Sequence, residues 1–110
     1  MERSVVLRRA HDEQGLRHLQ AVLADNGVLR IEGQDLGSGV ESVFGAGYTE
    51  YEYGLTIRAT DVAVLLAALG AEADVLSALQ RYYSNPGAED PASFLKANGI
   101  SYAFWSRVGD

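Results

Sequence analysis

The segment Tyr48-Thr-Glu-Tyr-Glu-Tyr-Gly-Leu-Thr-Ile-Arg58 decides the fold, because its side chains alternate between apolar and polar with a period of two. Alternation of this kind is typical of a β-strand, in which successive side chains point to opposite faces. One face is predicted to build the core, with Tyr51, Tyr53, Leu55 and Ile57. The other face carries Glu50, Glu52, Thr56 and Arg58, so it presents carboxylates to water or to a partner.

The residues before this strand are compatible with two arrangements. Within residues 12–24, a helical spacing is found at Leu16, Leu19 and Leu23. The same stretch alternates as a strand, is followed by the turn signal Asp25-Asn26-Gly27, and leads into a second alternating run at Val28–Gln34. We favour the hairpin and leave the helix open. Residues 4–9 have the β-branched content of a further strand.

Residues 35–47 contain four glycines and are predicted to form a loop, in which Val40, Val43 and Phe44 give a short anchored turn. Three helices are then predicted, beginning with Thr60 as N-cap and ending at Gly70, then at residues 73–83 and 90–98. The final strand, Ile100–Arg107, has apolar groups on both faces, which indicates an interior position in the sheet or a face covered by a partner. The outline β-β-β-β-α-α-α-β is an α+β fold, a mainly antiparallel sheet with helices packed on one face, and residues 1–110 are expected to form a single acidic domain.

Aromatic residues on or beside the predicted strands divide into two groups. Four are expected to be mainly buried: Tyr51, Tyr53, Tyr102 and Phe104. Tyr48 and Trp105 remain as candidates for an exposed interface, because tyrosine and tryptophan combine a large apolar area with a polar group.

The formal charge of −6 is concentrated in the middle of the chain. Residues 1–30 sum to +1, residues 31–57 to −5 with no basic residue, and residues 58–110 to −2. A surface of this sign repels phosphate backbones, so a basic protein partner is favoured over a nucleic acid. The absence of cysteine, and of an apolar run near the roughly 20 residues that span a bilayer, predicts a cytoplasmic protein that does not enter a membrane.

No arrangement of residues is specific enough to name a reaction. His11 and His18 lack the companions of a zinc site, Ser38 lacks a nucleophile-elbow sequence, and Gly45-Ala-Gly47 lacks the rest of a phosphate-binding loop. Glu50 and Glu52 are about 7 Å apart along a strand, a distance that suits an acid–base pair or part of a metal site. Because further ligands are not evident, we expect no catalytic residue, cofactor or metal.

Four short motifs resemble those of a group of small uncharacterised bacterial proteins of about this length: Gly33-Gln-Asp-Leu-Gly37, Val43-Phe44-Gly45, the Glu-Tyr-Glu-Tyr segment and the terminal Phe-Trp-Ser-Arg. The resemblance covers most of the chain, and no demonstrated activity accompanies it. More loosely, a small acidic α+β bacterial domain is similar to immunity proteins, which neutralise secreted toxins that include basic nucleases. That similarity rests on size, charge and fold class, so it assigns no functional residue.

The leading hypothesis is a non-enzymatic binding protein, in its most concrete version a toxin-immunity protein. An acidic strand face would dock a basic partner through Glu50, Glu52, Glu32, Asp35, Tyr48 and Trp105. One alternative is a small-molecule-binding protein or hydrolase with a pocket near the glycine-rich loop 35–47, using Asp35, Glu41 and a tyrosine. A second alternative is a structural domain that forms a homodimer through its terminal strand.

Overall fold

The computed structural model describes residues 1–13, 15–70 and 74–109, and this part of the chain forms an antiparallel sheet of five strands with four helices. The α+β fold class is therefore confirmed. Every strand pairs with its neighbour in sequence, in the order β1-β2-β3-β4-β5. The strands are β1 (Arg3–Asp12), β2 (Gly15–Leu23), β3 (Leu29–Leu36), β4 (Glu50–Ile57) and β5 (Ala103–Gly109).

The hairpin predicted around Asn26 is present, and the helical alternative for residues 12–24 is wrong. β2 and β3 pair in register from Leu16 opposite Leu36 to Leu23 opposite Leu29. In the turn, the amide of Ala24 donates to the carbonyl of Val28 at 2.9 Å. Alternation prevails over the helical leucine spacing because strand pairing buries Leu19 and Ala21 together on the face of β2 that meets the core.

The four helices are α1 (Ser38–Phe44), α2 (Ala59–Ala68), α3 (Val75–Tyr83) and α4 (Pro91–Ala97). The first lies within the segment predicted to be a loop, where the buried side chain of Val40 anchors it. The other three occupy the predicted places, although Ala73 lies outside the described residues. Within these ranges, no helix is long and apolar enough to cross a membrane.

The predicted N-cap of α2 is wrong. The helix begins at Ala59 with Arg58 as its N-cap residue, so Thr60 lies inside the first turn. Arg58 lies outside β4 and forms an ion pair with Asp61 at 3.0 Å. At the start of α3, by contrast, the side chain of Asp74 accepts a hydrogen bond from the Ser77 amide at 3.2 Å, which satisfies a free donor of the first turn.

The core lies between one face of the sheet and the helices. Its largest fully buried side chains come from both layers: Leu29, Ile31, Leu55, Ile57, Leu65 and Leu95. Each contributes roughly 1.5–3 kcal/mol through removal of apolar surface from water. This face is called the helix side below, and the opposite face of the sheet is called the open face.

β5 is an edge strand, which corrects the interior position predicted for it. The strand spans Ala103–Gly109 instead of the predicted Ile100–Arg107, and within the described sheet its pairing with β4 alone places it at the border. Phe104 lies on the helix side opposite Leu55 and is 53% exposed, so its predicted burial is also wrong. The remaining expectation for the aromatic residues agrees with the structure, since Tyr51, Tyr53 and Tyr102 are partly buried while Tyr48 and Trp105 are exposed.

Candidate functional site

The open face brings carboxylates of two neighbouring strands together. Gln34 pairs with Glu52, and Leu36 pairs with Glu50, so both glutamates lie beside the last residues of β3. Glu32 pairs with Gly54 on the same face. Because the period-two alternation sends these side chains away from the helices, they form one polar row across β3 and β4.

Amide side chains connect this row. Gln34 donates to Glu50 at 3.2 Å and to Glu52 at 3.5 Å, and Gln20 donates to Glu32 at 3.1 Å. A hydrogen bond with Glu52 lowers the pKa of Glu50, and the same hydrogen bond raises the pKa of Glu52. When two carboxyl groups share one proton in this way, the pair takes up its two protons in separate steps as the pH falls.

Arginines lie at the borders of the row without burying its charge. Arg30 is 3.7 Å from Glu32, and Arg107 is 3.9 Å from Glu52. Contacts of this length between solvent-accessible side chains contribute little to stability. The open face therefore has an acidic centre with basic margins, and its glutamates stay accessible to a partner.

Trp105 lies across the neighbouring strand on the open face. A Cβ added to Gly54 would come within 2.2 Å of the Trp105 Nε1 atom, so only glycine leaves room for the ring. The ring remains 46% exposed. It borders a shallow cavity of about 190 Å³ that is also lined by His18, Gln20, Glu32, Gln34 and Glu52.

The structure separates the residues that were predicted to form one docking site. Glu32, Glu50, Glu52 and Trp105 share the open face. Asp35 pairs with Tyr51 and lies on the helix side, because odd-numbered residues of β3 face the helices. Tyr48 lies in the loop before β4 and is 47% exposed. The candidate docking surface is therefore narrower than the sequence suggested.

The helix side carries a second surface that sequence reasoning largely missed. At the end of the sheet away from the fully buried core, a cavity of about 210 Å³ is lined by charged and aromatic side chains: Arg8, Arg17, Asp35, Tyr53 and Asp90. It adjoins a cavity of about 250 Å³ that reaches Tyr51 and Phe104 and shares Tyr53, Asp90 and Pro91. We call the two together the helix-side cleft.

Four aromatic rings form a row that runs from α1 into this cleft. Ring centroids are separated by 5.2 Å between Phe44 and Tyr51, 5.6 Å between Tyr51 and Tyr53, and 6.5 Å between Tyr53 and Phe104. The ring of Tyr53 lies over Gly33 on the adjacent strand, where an added Cβ would come within 2.1 Å. Gly33 within a predicted strand is the sequence signal for this row, because a glycine in a strand often marks a site where a neighbouring group approaches closely.

The pocket predicted near the glycine-rich loop is only partly present. Asp35 and Tyr51 line a cavity of about 60 Å³ beside α1. Glu41 is not part of its lining, and its carboxylate accepts a hydrogen bond from the Gly47 amide at 3.4 Å. The Asp35–tyrosine side of the predicted pocket merges with the helix-side cleft through Asp35 and Tyr51.

Burial controls the ionisation of the cleft. Desolvation, assisted by the nearby carboxylate of Asp35, raises the pKa of Tyr53 to about 12. Burial also raises the pKa of Asp35, an effect that the positive charge of Arg17 opposes. Asp35 and Tyr53 are both partly shielded from water. In such an environment, charged interactions are stronger than in water.

Tyr53 is expected to make stability decline at alkaline pH. Its folded-state pKa of about 12 is above the value of about 10 in an unfolded chain, so its contribution is complete below pH 10 and is lost as the pH rises through 12. After allowance for its partial exposure, the loss is about 1–2 kcal/mol. Urea unfolding of Tyr53→Phe at several alkaline pH values should show a shallower decline than wild type.

Tyr48→Phe is the matched control, because Tyr48 lies in an exposed loop. It should follow the wild-type pH dependence. If Tyr53→Phe and wild type lost the same stability between pH 10 and 12, burial of the Tyr53 hydroxyl would not be the cause.

Within residues 1–13, 15–70 and 74–109, no group of three or more His, Asp or Glu side chains is placed to bind a metal ion. Comparisons of the chain with protein-family models, with curated proteins and with solved structures gave no match.

Proposed function

We propose that this chain is a non-enzymatic protein-binding domain that docks a basic partner on the open face of its sheet. The observation that carries the proposal is the exposed Trp105 side chain beside accessible carboxylates, on the face of the described sheet that lies opposite the core. A tryptophan in such a position supplies a large contact area with a polar group at its edge.

Charge and aromatic area would have different roles in this complex. Glu32, Glu50 and Glu52 would attract a positively charged partner and speed the encounter. Trp105 would slow dissociation once it is covered, since most differences in affinity arise in the off-rate. Arg30 and Arg107 at the margins would repel basic groups there, so the partner's basic cluster should be narrow and aligned with β3 and β4.

Neutralisation of a secreted toxin is the most concrete version of this function. The supporting arguments are the net charge of −6, the small α+β domain and the loose similarity to immunity proteins. A basic nuclease surface that normally meets phosphates would be complementary to the acidic row. In this version the chain acts by covering the partner's surface and performs no reaction of its own.

The proposal predicts that Glu50→Lys combined with Glu52→Lys weakens partner capture at least about tenfold, because reversed charges would repel the basic partner. The measurement is a pull-down from the source cells with the purified chain as bait, quantified by mass spectrometry at two salt concentrations. Trp105→Ala should release the same protein. Wild-type capture should fall as salt rises.

A matched control is Glu13→Lys combined with Glu89→Lys, which changes the net charge equally at exposed positions outside the open face. This variant should retain the partner, and all variants should melt within a few degrees of wild type. Equal capture by the Glu50/Glu52 variant and the control would refute docking on the open face.

A further inference from the structure

The helix-side cleft is lined by two arginine side chains, Arg8 and Arg17. Arg8 pairs with Leu19 and Ala10 pairs with Arg17, so both arginines face the helix side from neighbouring strands. Among the described residues, neither forms a salt bridge, and the Arg8 guanidinium instead lies 5.6 Å from the centroid of the Tyr83 ring. Their N–H groups are therefore available to a carboxylate, which a guanidinium binds in a bidentate manner.

Two carboxylates line the same cavity as the arginines. Asp35 approaches it from β3, and Asp90 approaches it from the residue before α4. In the described chain, no arginine or lysine lies within salt-bridge distance of either carboxylate. A site with two positive and two negative groups is nearly neutral, so it favours a ligand that itself carries both signs of charge.

The aromatic row supplies the remaining part of the site. Tyr51, Tyr53 and Phe104 line the adjoining cavity, and Phe104 stays exposed although it lies on the core side of the sheet. An exposed aromatic ring beside partly buried rings gives a flat apolar surface for stacking. Together the two cavities are large enough for a ligand with a single ring.

We infer that the helix-side cleft binds a small aromatic zwitterion of the α-amino acid class. Its carboxylate contacts Arg8 and Arg17, its ammonium group contacts Asp35 and Asp90, and its ring packs against Tyr53 and Phe104. This inference does not depend on the docking function, because the cleft and the acidic row lie on opposite faces of the sheet.

The test is a titration of the full chain with four compounds, followed by NMR of its backbone amides and by calorimetry. L-phenylalanine carries all three groups, 3-phenylpropanoate lacks the ammonium group, phenethylamine lacks the carboxylate, and L-leucine lacks the ring. L-phenylalanine should bind at least about fivefold more tightly than each of the others, since each lacks one contact. The shifted amides should belong to β1–β4 beside the cleft and to α4.

Arg17→Gln and Asp35→Asn should each weaken L-phenylalanine binding at least about tenfold, because each removes a charged partner. Arg58→Gln, which changes an arginine before α2 that lines neither cavity of the cleft, should bind as wild type does. Two variants are used so that a folding defect in one, checked by its melting temperature, leaves the other informative. The inference is overturned by the absence of binding at about 5 mM L-phenylalanine, by phenethylamine or phenylpropanoate binding equally well, or by shifts confined to the open face.

Discussion

Replacing Gly15 by alanine is expected to lower the free energy of unfolding by at least about 3 kcal/mol. A Cβ at this position would lie 1.6 Å from the backbone carbonyl oxygen of Leu36, so the ends of β2 and β3 would have to separate. The φ angle of Gly15 is +129°, a conformation that side chains with a Cβ rarely adopt. The steric clash and the backbone strain both arise at the first residue of β2, next to the turn of the β1–β2 hairpin.

Gly47→Ala separates the two costs. Gly47 also has a positive φ angle, +91°, but nothing lies within 4 Å of an added Cβ. It should lose only about 1–2 kcal/mol, the penalty for the backbone conformation alone. Urea denaturation of both variants measures the difference. If Gly15→Ala and Gly47→Ala lost the same free energy of unfolding, the contact between the new Cβ and Leu36 would be relieved without disturbing the sheet.

Leu55→Ala is expected to cost about 3–4 kcal/mol. Leu55 is 1% exposed and lies on β4 between Ile31 of β3 and Phe104 of β5, beneath the helices. Truncation removes apolar contacts and leaves a cavity in the layer that joins sheet and helices. For a domain of this size, the melting temperature should fall by more than about 10 °C.

Val64→Ala provides the comparison for this core variant. Val64 lies on α2 and is 48% exposed, so its truncation should change stability by less than about 0.5 kcal/mol. The denaturant dependence of unfolding should stay the same in both variants. A small loss for Leu55→Ala would show that the helices do not bury this part of β4 in solution.

β4 contributes to both proposed surfaces, because alternate residues point to opposite faces. Glu50 and Glu52 face outward to the acidic row, whereas Tyr51 and Tyr53 face the cleft. Variants of one face leave the side chains of the other unchanged. The docking proposal and the ligand proposal can therefore succeed or fail separately.

Strand faces, the hairpin turn and helix ends were predictable, because they depend on residues that are close in sequence. Alternation in the Glu-Tyr-Glu-Tyr segment assigns its two faces, and the turn signal around Asn26 defines the β2–β3 hairpin. The end signals Asp90-Pro91 and Asn98-Gly99 enclose α4. Helix α1 was missed, because glycines dominate local propensity there and the buried contact of Val40 stabilises this short helix.

Positions that depend on pairing partners were not predictable. A strand with apolar residues on both faces has the same sequence pattern at an edge as in an interior. In the described sheet, β5 is an edge strand because it pairs with β4 alone. The location of Arg8 is a second example. A β-bulge between Val6 and Arg8 shifts the register and turns Arg8 to the helix side, whereas simple alternation from Leu7 would send it to the open face.

The sequence by itself determined the α+β class, the two faces of β4 and the carboxylates at its surface, because these follow from spacing over a few residues. Only the tertiary structure decided that Asp35 leaves the acidic row and joins Arg8, Arg17 and Asp90 in a cleft. These residues are spread from β1 to the start of α4. Strand register and the return of the chain through the helices bring them together, and neither is encoded in local periodicity.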